Sequence, residues 1–140
     1  MSDRQFKTNE RVMHAICQKA IHDMTTMIDY VAARRRTDDE ERFDRLSIIP
    51  PDHGLMLLLA REAFYALPTA CHCPATLTEQ QRTMAVQCMA NYMMWRWLTL
   101  VSPDEAPPFR EQSDSIVARL TEQMRHADSG KRTRRPMFPF

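Results

Sequence analysis

The sequence predicts an all-α, single-domain helical bundle, and three observations carry that prediction. Glycine occurs only 2 times in 140 residues, which leaves little for tight hairpins or phosphate-binding loops. Apolar residues recur at three-four spacing through most of the chain, the period of a helix buried on one side. The 9 prolines gather at a few places, as separators between helices do. No stretch alternates as a strand would, no segment repeats, and no heptad run is long enough for a coiled coil. A chain of 140 residues can bury a core without metal or disulfide staples. The expected organisation is four main helices and one short one over residues 1–130, then a basic, aromatic tail over residues 131–140.

The first helix is expected from Asn9 to Arg35, with Met13, Ile16, Cys17, Ala20, Met24, Met27, Ile28 and Val31 on one stripe. His22 falls opposite that stripe, and His14 at its edge. Arg34, Arg35 and Arg36 stand at the helix C-terminus, where cations favour the dipole. A solvated helix end explains them more simply than a binding patch. Thr37-Asp-Asp-Glu40 reads as a capping box for a short helix with Phe43 and Leu46 inward, broken at Ile48-Ile49-Pro50-Pro51. Asp52 is a natural N-cap for the next helix, which Pro68 should end at Leu67. That segment is apolar from Leu55 to Leu67, with Arg61 and Glu62 as its polar strip. Arg61 or another arginine is expected to pair with Glu62.

Thr76-Leu-Thr-Glu79 reads as a second capping box, opening a helix to about Val101. From Met84 to Val101 this helix is apolar on nearly every side, so its own fold, a partner or a bilayer must cover it. A bilayer is excluded by Gln87, Asn91 and Arg96; the arginine alone costs about 2.5–3.5 kcal/mol at mid-membrane. Ser102-Pro-Asp-Glu-Ala-Pro-Pro108 is a linker, and a last helix is expected from Phe109 to Asp128, with Gly130 at its C-terminal turn. Ile116, Val117, Leu120 and Met124 form its stripe.

Composition narrows the function classes. The balance of 19 basic and 18 acidic residues gives a net charge of +1, so no whole-molecule field steers the chain toward nucleic acid. The opening Met-Ser-Asp-Arg lacks an apolar signal region, so the 4 cysteines are expected as reduced thiols in a cytoplasm. Cys71-His72-Cys73 carries zinc-type ligands between Pro68 and Pro74, yet a structural zinc site commonly needs a second pair, and none exists. A metal is therefore not expected, nor any other cofactor. The redox spacing Cys-x-x-Cys is absent. His14 and Cys17 lie on adjoining turns without an orienting acid or an oxyanion site, and Cys17 sits mid-stripe as a core residue does. Asp38, Asp39, Glu40 and Glu41 are explained by capping and dipole compensation. No catalytic constellation remains.

The helix-turn-helix reading fails as well, because no candidate recognition helix has a basic outward face. The tail Lys131-Arg-Thr-Arg-Arg-Pro-Met-Phe-Pro-Phe140 could touch phosphates or stack on bases, but a chain end this short is better read as flexible or docked on a neighbour. What stands out is the helix carrying Met84, Met89, Met93 and Met94 with Tyr92, Trp95 and Trp97. Methionine and aromatic enrichment marks interface cores. Trp95 and Trp97 lie about 200° apart around a helix, so one core does not easily take both. The sequence therefore predicts a protein–protein interaction module, an adaptor, chaperone-like protein or regulatory subunit acting as a homo-oligomer, with a homodimer or a protein partner as what it contacts. Its expected contact residues are Met93, Met94, Trp95 and Trp97. The alternative is a metal- or nucleic-acid-binding regulator using Cys71, His72, Cys73 and the tail.

Overall fold

A computed structural model describes residues 3–38 and 51–133. Four helices build it: α1 (Asp3–Asp38), α2 (His53–Ala66), α3 (Glu79–Val101) and α4 (Pro107–Thr133). Short 3-10 turns at Thr69–His72, Pro74–Thr76 and Pro103–Glu105 join the last three, and no strand occurs among the described residues. The fold is all-α, as the glycine count and the apolar period require. Of the expected short helix, the residues from Asp39 to Leu46 lie outside the described residues, as does the tail from residue 134, while Thr37, expected as its cap, is part of α1.

The helix ends show which local signals win. Asp52 caps α2 through Oδ1, which accepts from the Leu55 amide at 2.8 Å. Leu67 is extended, with ψ 158°, because a residue before proline is driven out of the helical region. At α3 the capping box lies two residues later than expected. Thr78 accepts from the Gln81 amide, and the Gln81 side chain accepts from the Thr78 amide, at 3.1 and 2.9 Å. Thr76 belongs to the preceding turn, where its hydroxyl donates to the Cys73 carbonyl. Leu77 between them is buried at 5 % exposure, and anchoring it holds the helix start at Thr78.

Two ends depart from expectation because a weak breaker does not stop a helix. α1 begins six residues before Asn9, at Asp3, and runs through Thr37 to Asp38. Its first residues are exposed, so they show no apolar period, yet nothing in them forbids a helix. α4 runs through Gly130 to Thr133. A glycine costs only about 1 kcal/mol inside a helix, and no proline follows until Pro136.

Specific contacts fix the helix directions. Thr25 of α1 meets Met56 of α2 at 4.0 Å, and Arg61 acts electrostatically on Cys17, so these helices are antiparallel. Glu62 of α2 meets Arg96, while Ala63 and Ala66 line one cleft with Cys88 and Tyr92 of α3; these two are antiparallel as well. α1 and α3 therefore run parallel. Cys88 touches Ser113 and Trp95 lies under Arg110, which makes α3 and α4 antiparallel. α3 packs on all three other helices, α1 and α2 also pack on each other, and α4 packs chiefly on α3.

The all-round apolar character of α3 follows from that central place. Its buried residues Ala85, Val86, Cys88, Met89, Met93, Met94, Trp97 and Leu98 join Ile16, Ala20, Met24 and Ile28 of α1, the Met56–Phe64 face of α2, and Ile116 and Leu120 of α4 in one continuous core. Asn91, buried on the same helix, donates to the Gln87 carbonyl one turn back. No helix among the described residues is long and apolar enough to cross a membrane.

Candidate interaction surface

The two tryptophans of α3 part company. Trp97 is 3 % exposed, and Met93 and Met94 are fully buried. Three of the four residues expected at a partner contact thus belong to the chain's own core, covered by the neighbouring helices. Trp95 alone of the four reaches the surface, half-buried. The roughly 200° between the two rings is the reason: with Trp97 turned into the core, Trp95 leaves the helix on nearly the opposite side.

Trp95 is part of a stripe. Tyr92, Trp95 and Arg96 are partly exposed and Thr99 and Leu100 fully so, at spacing i, i+3, i+4, i+7 and i+8 along one side of α3. This is the side of its C-terminal half that the other described helices leave partly open. The rings of Tyr92 and Trp95 meet edge to face, with centroids 5.4 Å apart. The Arg110 guanidinium of α4 sits 4.3 Å from the Trp95 ring centroid, and Arg96 sits 5.8 Å from it. Beside them lies a cleft of about 350 Å³, walled by Ala63 and Ala66 of α2, by Trp95 and Tyr92, and by Arg110, Ser113 and Val117 of α4.

Each arginine of this surface has a carboxylate. Arg96 donates to both oxygens of Glu62, at 2.9 and 3.3 Å, which supplies the arginine expected for Glu62. Arg110 pairs with Asp114 at 3.7 Å. Both pairs are open to solvent and contribute little to stability. Burial raises the Tyr92 phenol above its ordinary pKa, and the facing Glu62 carboxylate raises it further. The antiparallel register set by Glu62 and Arg96 carries Leu58 and Leu100, each one turn further on, to the same end of the α2–α3 seam. They are 65 % and 77 % exposed, and the exposed Val101 follows. Periodicity counts Leu58 and Leu100 as apolar without telling which sector a neighbour leaves open. That is why sequence reasoning missed Leu100 and found Trp95 only as one of a pair.

The three side chains of the Cys71-His72-Cys73 loop face different surroundings. Cys71 is fully buried with its sulfur 3.8 Å from the Met124 sulfur. His72 turns to the rings of Phe64 and Tyr65, with centroids 5.5 and 5.7 Å away. Cys73 is partly exposed. The His72 Nε2 atom is buried and lacks a hydrogen-bond partner among the described residues. No group of three or more His, Cys, Asp or Glu side chains among the described residues is placed to hold a metal ion. Burial pushes the Cys71 thiol up to about 11 and also raises Cys17 and Cys88, which leaves all three as neutral thiols at neutral pH. Cys88 is used in packing, with its sulfur 3.4 Å from the Ser113 hydroxyl, which donates to the Cys88 carbonyl at 3.2 Å. His14 is exposed while Cys17 is buried, so the pair expected on adjoining turns faces different surroundings. Compared with protein-family models, curated proteins and solved structures, the chain gives no match.

Proposed function

We propose that this protein is a non-catalytic interaction module that self-associates through the open stripe of α3 and the α2 and α4 residues beside it. The observation that carries the reading is the stripe itself: tyrosine, tryptophan and arginine, the residue types that dominate binding hot spots, stand next to the exposed Leu58 and Leu100. A second copy is the partner this surface suits. It carries two cations, Arg96 and Arg110, and two carboxylates, Glu62 and Asp114, so it is electrostatically neutral and complementary to itself across a twofold axis. A net charge of +1 leaves little repulsion between copies. Four unpaired cysteines, three of them buried, suit a reducing cytoplasm as the working compartment.

The test is mass in solution at micromolar concentration. Wild type is expected as a dimer and Leu100→Asp as a monomer that keeps its helical circular dichroism, because Leu100 lies outside the core. A wild type that stays monomeric at that concentration sinks the reading. So does a Leu100→Asp variant that dimerises as wild type does.

A further inference from the structure

We infer that the open valley between α1 and α3 docks an amphipathic helix of a different protein, one that carries carboxylates beside its apolar stripe. Two parallel helices in contact leave two valleys between them. α2 fills one, laying Met56, Leu59, Ala60, Ala63 and Phe64 into it at the spacing of a single helix face. The other is open. It is lined from Arg11 to Asp23 on α1 and from Glu79 to Gln87 on α3, encloses about 780 Å³, and receives no residue from α2 or α4. Its length along α1 is about 18 Å, enough for three turns of a third helix.

The floor and rim specify the partner. Val12, Ala15, Ile16 and Val86 make an apolar floor. Around it stand Arg11 and Lys19, which form no ion pair among the described residues, and Arg82. Arg82 is held by the carbonyls of Pro74 and Ala75, at 3.2 and 3.1 Å, which are neutral acceptors. Asp23 and Glu79 are the carboxylates of the lining, and His22 and the amides of Gln18 and Gln87 complete it with Thr83. Cations exceed carboxylates, in contrast to the α3 stripe, where every arginine has its own acid. The same helix-in-groove physics that seats α2 therefore favours an acidic helix here, whereas a second copy suits the neutral stripe.

The experiment titrates labelled synthetic helices of about 18 residues, with leucine at heptad spacing and either glutamate or lysine on the flanks, into full-length protein and follows anisotropy. The glutamate peptide is expected to bind at least about tenfold more tightly than its lysine twin and to weaken as salt is added. Ala15→Trp, a neutral plug at an exposed position, is expected to weaken it at least about tenfold, and the pair Arg11→Glu with Lys19→Glu to favour the lysine peptide. Circular dichroism checks that both variants keep their helices. Equal binding of the two peptides, no binding of either, or full binding by a helical Ala15→Trp protein overturns the inference. Loss of self-association in Ala15→Trp also overturns it, because the valley then holds a second copy. The monomeric Leu100→Asp variant is expected to bind the glutamate peptide as wild type does, which separates this surface from the self-association surface.

Discussion

Trp97 and Leu100 lie three residues apart on α3, and substitutions at them are expected to act oppositely. Trp97 is 3 % exposed within the core, so Trp97→Ala leaves a cavity and is expected to cost about 3–5 kcal/mol in urea unfolding. Leu100→Ala is expected to change monomer stability by less than about 0.5 kcal/mol. Thiol chemistry divides the same way. Cys17, Cys71 and Cys88 are buried, and burial keeps each protonated, whereas Cys73 is partly exposed. A thiol reagent at neutral pH is expected to modify Cys73 first, with the other three reacting only at the rate of unfolding. Rapid modification of all four would show that the core opens.

At the scale of the element, the two candidate capping boxes before α3 make a direct test. Thr78 closes the box with Gln81, so Thr78→Ala is expected to lose about 1 kcal/mol in thermal or urea unfolding. Thr76→Ala removes only an exposed bond to the Cys73 carbonyl and is expected to be close to neutral. Both threonines satisfy the local pattern, since Glu79 follows Thr76 by three and Gln81 follows Thr78 by three. The burial of Leu77 decides between them, and burial is a long-range fact. Asp52 and Pro68 were legible from sequence because each acts within four residues of itself: one side chain reaches an orphan amide, one ring forbids a backbone angle. The Gly130 stop was misread because glycine is only a mild penalty, and a helix carries through it.

For the whole molecule, the buried thiols give stability a definite pH dependence. The folded Cys71 pKa is raised from its ordinary 9.0 to about 11, and Cys17 and Cys88 shift the same way. The native state then holds protons that the unfolded chain has released. Stability is therefore complete below the ordinary thiol value and falls as pH rises from about 9 toward 11. Chemical denaturation across that interval is expected to show the decline, and Cys71→Ala is expected to make it shallower. A Cys71→Ala slope equal to wild type would remove Cys71 from the account.

What the sequence by itself determined is the class of object: helices, a cap at Asp52 and a stop before Pro68, and a stretch of α3 from Met84 to Val101 too apolar to stand in water. Periodicity settles the angle at which each side chain leaves its helix, so it established that Trp95 and Trp97 point apart. Only the tertiary structure decided which of them faces solvent, and with it that Met93 and Met94 are core and that Tyr92, Trp95, Arg96, Thr99 and Leu100 form the open side. The physical reason is that an angle has no meaning for burial until neighbours are placed around it. Those neighbours come from α1, α2 and α4, tens of residues away in the chain, packing on three sides of α3 and leaving a fourth.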